Sequence, residues 1–348
     1  MKQNYIRPLD LKHGRVDMSH GSGGRAMAQL IDELFAPLLG NDYLAQGNDG
    51  SVMPLPEGPG RLVMATDAHV VSPLFFPGGD IGCLSVHGTI NDVAVMGAKP
   101  LYLSASFILE EGFALADLKR IVESMAAAAR EAGVPVVTGD TKVVEQGKGD
   151  GVFISTTGVG WLPAGIELSG NRAAAGDAIL VSGPIGDHGM AIMSQRESLA
   201  FESPIVSDTA ALHGLVADLL ASGVQVKVLR DPTRGGLGTT LNEIARQSGV
   251  GMMLQEARIP VQPAVAAACE FLGLDPLYCA CEGRLIAIVA GEDKDKALAA
   301  LQAHPQGTGA AIVGSVHEDP HHFVQMTTGF GGKRIVDWLT GEQLPRIC

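Results

Sequence analysis

The sequence predicts an α+β protein of two domains, and three observations carry that expectation. At 348 residues the chain is longer than one ordinary hydrophobic core accommodates. Short β-type runs and helical-period stretches follow one another in an order that mixes hairpin-like and crossover connections in both halves. A break from Pro163 to Gly176 separates the halves. The expected organisation is a loose leader over residues 1–17, an N-terminal domain over 18–162, a C-terminal α+β domain over 163–338 and a mobile tail over 339–348. Each half should be a mixed sheet covered by helices.

In the first half, Ser19-His20-Gly21-Ser22-Gly23-Gly24 runs directly into a helical pattern from Arg25 to Phe35. Such a glycine-rich entry can wrap an anion with backbone N–H groups, although no Gly-Lys-Ser/Thr follows to make a Walker loop. A strand over Arg61–Thr66 ends on Asp67, and a helical stretch within Asp80–Met96 carries Asn91-Asp92. Pro100–Leu109 reads as a buried strand. Ala114–Ala132 is the clearest helix, with Leu118, Ile121, Val122, Met125 and Ala129 on one stripe and Gly133 as the stop. Val134–Val137 is a strand leading into Thr138-Gly139-Asp140-Thr141-Lys142, and Val152–Val159 closes the domain.

In the second half, a strand over Ala178–Ser182 precedes Gly186-Asp187-His188-Gly189 and helices near Met190–Gln195 and Asp208–Ala221. A strand over Val226–Leu229 leads into Arg230-Asp231-Pro232-Thr233-Arg234-Gly235-Gly236. Helix Leu237–Gln247, strand Gly251–Gln255 and helix Pro263–Leu272 follow. After Cys279-Ala280-Cys281-Glu282-Gly283-Arg284 come a strand over Leu285–Val289, a helix near Lys294–Ala303 and a strand over Ala311–Val316.

Composition narrows the function. Hydrophobic residues make up 46% and charged residues 18%, a folded rather than disordered balance. A net charge of −13 argues against a nucleic-acid partner, which demands a basic surface. No apolar run reaches membrane-spanning length, and the N-terminus lacks the apolar core of a signal peptide. Five cysteines (Cys83, Cys269, Cys279, Cys281, Cys348) show no disulfide-framework spacing. A cytoplasmic protein is expected.

Asp67, Asp92, Asp140 and Asp231 are placed at strand ends or in glycine-rich turns, where carboxylates serve as ligands for a hard cation such as Mg²⁺. Each such Asp also suits a turn or helix cap. Lys142 could be a point charge on a phosphate, and Thr233 to Gly236 could offer hydroxyl, guanidinium and backbone donors. The chain finishes on Leu344-Pro345-Arg346-Ile347-Cys348, which reads as a short arm carrying a thiol beside its own carboxylate.

Thr66-Asp67, Asn91-Asp92, Gly139-Asp140-Thr141-Lys142-Val143 and Arg230–Gly236 resemble the motifs of the aminoimidazole-ribonucleotide-synthetase-like ATP superfamily. The glycine-rich leader, Asp80-Ile81-Gly82, Gly186–Gly189 and the ending Pro345-Arg346-Ile347-Cys348 resemble its HypE family of hydrogenase maturation proteins. The resemblance runs from Ser19 to the last residue. It implies the superfamily's two-domain α+β fold and a homodimer pairing the N-terminal sheets near ATP. It further implies ATP-dependent dehydration of a carbamoyl group on Cys348 to a thiocyanate, the cyanide source for the iron of [NiFe]-hydrogenase. A HypF-type carbamoyltransferase would be the donor and a HypC–HypD complex the acceptor. Carried over by position, Asp67, Asp92 and Asp231, with Asp140, are the metal ligands. Gly23, Gly24, Asn91, Lys142 and Thr233 lie near nucleotide or phosphates. Glu282 is the favoured base, with Lys142 assisting, and Cys348 carries the substrate.

Three alternatives stand beside this reading. Selenophosphate synthetases generally carry a Cys or selenocysteine with a following Lys in the leader, and Ser19–Gly24 has neither. A thiamine-monophosphate kinase leaves the Cys348 tail unexplained. A non-catalytic metal chaperone or scaffold would use Cys279, Cys281, Cys348 and the histidines at 317, 321 and 322; the Cys-x-Cys spacing instead favours core packing.

Overall fold

The computed structural model describes residues 8–22, 24–197, 205–339 and 347. Helix α1 (Arg25–Leu30) passes through a π-helical turn (Ile31–Phe35) into α2 (Ala36–Leu39). Strand β1 (Gly60–His69) is followed by the two-residue strands β2 (Phe75–Phe76) and β3 (Gly79–Asp80) and by helix α3 (Ile81–Val95). Strand β4 (Lys99–Glu110), helix α4 (Leu115–Ala132), β5 (Val136–Val144) and β6 (Val152–Pro163) complete the first half. Its four strands lie in the order β1-β6-β4-β5, with β4 and β5 parallel across the α4 crossover and the other neighbours antiparallel.

Helix α3 is the packing centre. Asp80, in extended conformation, caps it by accepting from the N–H groups of Gly82 and Cys83. A Cβ on Gly82 would lie 2.1 Å from the Ile121 carbonyl oxygen, so the missing side chain lets α3 and α4 cross in contact. The α4 stripe of Leu118, Ile121, Val122, Met125 and Ala129 is buried against it. Each fully buried large aliphatic there contributes about 1.5–3 kcal/mol. Gly133, at φ +67°, ends α4 with its N–H on the Arg130 carbonyl, as its position predicts.

The second half holds β7 (Ala178–Val181), α5 (Asp187–Arg196), α6 (His213–Ala221), β8 (Val226–Arg230), α7 (Gly236–Ser248) and β9 (Gly251–Gln255). Then come α8 (Pro263–Leu272), β10 (Ile286–Val289), α9 (Lys294–Ala303), β11 (Ala311–His317), β12 (Val324–Thr327) and β13 (Lys333–Ile335). The seven strands are ordered β13-β12-β9-β11-β7-β10-β8, and β9 and β12 run parallel. Strands β12 and β13 were not expected from the sequence; they are short and follow a polar His/Asp loop that hides their alternation. α6 begins at His213 rather than Asp208, because residues up to Leu212 are spent on bonds to the first domain.

Two further expectations are corrected. The leader is not loose over its described part: Val16 is buried in the first core, and backbone bonds join Val16 N–H to Phe113 O and Gly112 N–H to Val16 O. Asp67 and Asp140 lie inside β1 and β5 rather than at strand ends. Those strands continue because β1 pairs with β6 through His69, and β5 pairs with β4 through Val144.

The halves are clasped by Asn91. Its Nδ2 donates to the carbonyls of Ala210 (3.0 Å) and Glu282 (3.1 Å), and its Oδ1 accepts from Leu212 N–H (2.7 Å). One buried amide on α3 thus fixes two segments of the second domain. Asn91→Ala strands those three backbone groups, and a loss of about 2–4 kcal/mol is expected. A fall in urea midpoint at unchanged slope checks this; an unchanged midpoint contradicts it.

Candidate active site

Three segments converge beside α3. β1 points Asp67 and His69 to the α3 face, two residues apart on one side of the strand. α3 carries Asp92 itself, β8 delivers Asp231, and the turn before β10 delivers Glu282. Gly88 lies at the meeting point. A Cβ there would sit 3.1 Å from His69 Cε1, 3.5 Å from Asp67 Oδ2 and 3.9 Å from Glu282 Oε2. Asp67 and Glu282 therefore face the same space, which a glycine keeps open.

Glu282 is held from its backbone. Its N–H donates to Asp208 Oδ1 (3.0 Å), its carbonyl accepts from Asn91, and Cys281 N–H donates to Pro232 O (3.0 Å). A Cβ on Gly283 would fall 1.7 Å from the Asp208 carbonyl oxygen, so Glu-Gly is required where the chain passes Asp208. Gly235 and Gly236, at φ +77° and +60°, turn the Asp231 loop into α7, and Thr233 O accepts from Gly236 N–H. The side chain of Glu282 is 3% exposed, and its Oε1 is buried without a hydrogen-bond partner.

This crowding raises the acids. Burial, then Asp231 and Asp67, pushes Asp92 up to about 7, against a pull downward from Arg230 and Arg234. Burial, with Asp67 adding, pushes Asp231 up to about 6, opposed by its own backbone N–H and by Arg230. Glu282 is pushed well above the carboxylate range by burial first, then by Asp231, Asp208, Asp67 and Asp92. Burial also lowers His69, against Asp67. The cluster is short of positive charge. Its oxygen donors suit a hard cation, although among the described residues no three His, Cys, Asp or Glu side chains already close around one point.

The remaining predicted residues are elsewhere. Asp140 and Lys142 are exposed on β5 and paired with each other (Nζ to Oδ1, 2.6 Å), and this bond holds Asp140 below its usual range. The leader turn Met18–Gly21 packs on the same strand, where a Cβ on Gly21 would meet Val143 N at 2.6 Å; Gly24 caps α1 with open space around it. A cleft of about 430 Å³ beside them is lined by Met27, Phe35, Leu44, Phe107, Thr138 and Asp140. Gly23 and Cys348 lie outside the described residues. In the ladder, Asp67 pairs with Thr156, Thr156 with Ala105 and Ala105 with Gly139. β1 and β5 are thus three strand spacings apart, about 14 Å. Thr156 and Ala105 are buried under the helices with Asp67 on their face. Asp140 and Lys142, opposite Ser106 and Ile108, lie on the other face. Within one chain the predicted residues form two groups, not one.

Sequence reading missed His69, Gly88 and Asp208. The i, i+2 spacing from Asp67 could have found His69; nothing local marks the other two. Cys269, Cys279 and Cys281 are buried, and the Cys269 and Cys279 sulfurs are 3.8 Å apart.

A stability test follows from the raised acids. A carboxyl whose folded pKa exceeds its unfolded one is most favourable below the unfolded value and loses that contribution as pH rises through the folded one. Asp92→Asn, without divalent cation, should match the parent near pH 4 and melt a few degrees higher at pH 8. Equal melting at both pH values would contradict the crowding.

Comparison with known proteins identifies the family and the fold. Residues 47–162 match the family model of the AIR synthase related protein N-terminal domain, and residues 174–327 that of its C-terminal domain. Carbamoyl dehydratase HypE of Cupriavidus necator is 70% identical over 348 residues, covering 100% of this chain and 99% of that protein. Carbamoyl dehydratase HypE of Escherichia coli is 47% identical over 337 residues, covering 96% and 99%. A crystal structure of hydrogenase maturation protein HypE in complex with ATP superposes with a TM-score of 0.91 at 50% identity, over 95% of this chain and 99% of that one. A HypE–HypF complex gives 0.78 at 48% identity, over 89% and 99%. Thiamine-monophosphate kinase from Stenotrophomonas maltophilia, at 20% identity and a TM-score of 0.63, shares the fold alone.

Proposed function

This chain belongs to the HypE family of carbamoyl dehydratases, and from that premise we propose how its own residues carry out the reaction. The substrate is a carboxamide on the Cys348 sulfur, loaded by a HypF-type carbamoyltransferase, and the product is a thiocyanate passed to a HypC–HypD complex. The supporting observation is Glu282, a buried carboxyl with a free oxygen, facing Asp67 across the gap at Gly88.

An amide oxygen is a poor leaving group. Transfer of the ATP γ-phosphoryl group to that oxygen, with ADP leaving and one N–H proton lost, makes it a good one. Departure of phosphate, with loss of the second N–H proton, then forms the C≡N bond. Glu282 takes a proton from nitrogen; its burial makes it a stronger base than a solvated carboxylate once ionised. Phosphoryl transfer itself depends on positioning and charge neutralisation. Asp67, Asp92 and Asp231 would hold Mg²⁺, which when bound neutralises phosphate charge. Mg²⁺ would keep phosphate and water oxygens among its ligands beside these carboxylates.

Lys142 and Asp140 cannot join Glu282 within one chain, being on the opposite face and edge of the sheet. A homodimer resolves this. The outer face exposes Leu62 (55%), Met64 (72%) and Ile108 (43%), an apolar surface suited to pairing with a second copy. The Lys142 edge of one copy then serves the carboxylate cluster of the other. Among the described residues no helix is long and apolar enough to cross a membrane, and the cytoplasm is the proposed compartment.

Two tests address these roles. Glu282→Gln should slow dehydration by about 10²–10⁴ while retaining ATP binding; a rate near the parent's overturns the assignment. Lys142→Ala and Asp92→Asn should each be inactive. Unfolded and refolded together, they should recover roughly a quarter of parental activity, since half the dimers then hold one complete site. No recovery would place the whole site in one chain.

A further inference from the structure

Ile347 is the single described residue of the tail beyond Leu339, and it is buried (4% exposed) in the first-domain core with Phe76, Ile192 and Ala280. Its carbonyl receives a hydrogen bond of 2.8 Å from His188 Nε2 on α5. The other ring nitrogen, Nδ1, is 2.8 Å from Ser207 Oγ, which already accepts from Thr209 N–H (3.1 Å). A carbonyl can only accept, so Nε2 bears the proton, and the Ser207 hydroxyl gives its own proton to Nδ1. Both nitrogens are satisfied by one neutral tautomer. The Phe76 ring stands edge-on to the imidazole at 5.4 Å, and the ring is fully enclosed.

These contacts lead to Glu282. Gly189 N–H, next to His188, donates to Ala280 O (3.0 Å), two residues before Glu282. Asp208, next to Ser207, accepts from Glu282 N–H. The residues that grip the tail are therefore bonded to the segment that presents the base, and Cys348 is joined directly to the gripped carbonyl.

We propose that His188 is a positioning residue: as the Nε2–H tautomer set by Ser207, it holds the Ile347 carbonyl and so aligns the peptide bearing Cys348 with the Glu282 segment for dehydration. This rests on the dehydration reading above. It separates two needs of the tail, since loading by a transferase requires the thiol outside and dehydration requires it aligned within. His188 touches neither substrate nor nucleotide in this account.

The test uses full-length protein carbamoylated beforehand, and reads single-turnover water loss from the tail together with tail release by carboxypeptidase. His188→Phe keeps the ring and removes the donor. It should slow dehydration on the order of ten- to a hundredfold, speed tail release, leave ATP affinity unchanged and not slow carbamoylation, for which the tail must be outside. His188→Gln places an N–H donor near the Nε2 position and should recover most of the rate, which a purely structural role would not predict. Ser207→Ala, milder for folding, should show a smaller loss in the same direction. Unchanged dehydration and unchanged tail release in His188→Phe overturn the proposal, as does equal loss in the Phe and Gln variants. If the parent itself loses no water, the dehydration reading fails, and tail release alone then decides whether His188 holds the tail.

Discussion

The structure depends on burying carboxyl groups together at one face of α3. Asp92, Asp231 and Glu282 are each raised first by burial, Asp67 raises all three, and Asp231 adds to the rise of Asp92 and Glu282. Left alone, such a cluster would push its segments apart. The fold opposes this with neutral bonds, Asn91 to the Ala210, Leu212 and Glu282 backbone and Cys281 to Pro232, and with a bond from Glu282 N–H to the Asp208 carboxylate. Gly283 permits an approach to the Asp208 carbonyl that no side chain allows, and Gly88 leaves room beside His69 and Asp67. The result is a site preorganised for positive charge, at a cost in stability that any cation bound there would offset.

Much of this was legible in the chain. The helical stripe of α4 and its Gly133 stop follow from periodicity and cap chemistry alone, and most strands lie within a few residues of the expected bounds. The motif acids came from resemblance more than from spacing, since an Asp before Gly or Pro has several uses. What the sequence could not give was sidedness. Asp67 and Asp140 look alike in the chain, each close to a strand end, yet ladder register places them on opposite faces and edges of one sheet. That depends on pairing across about ninety residues, which no local pattern records. Asp208, and the contact made by His188 of the Gly186–Gly189 motif, were hidden for the same reason: their partners, Glu282 and Ile347, are distant in sequence.

The two groups of residues divide the chemistry. The carboxylates, Glu282 and the Ile347 anchor belong to the face shared by both domains. The Asp140–Lys142 pair, the leader turn and the apolar cleft belong to the opposite sheet edge, at β5. The turn before β10 thus presents the enclosed Glu282 carboxyl, and β5 presents the exposed Lys142 ammonium paired to Asp140. The cysteines at 269, 279 and 281 are buried in the second domain's cores.

The most direct measurement is the mass of the C-terminal peptide after incubating the carbamoylated protein with ATP and Mg²⁺. Loss of the mass of one water from the peptide ending in Cys348, dependent on ATP, is the predicted result. A carbamoyl group that persists on Cys348 while ATP is bound or cleaved would contradict the account.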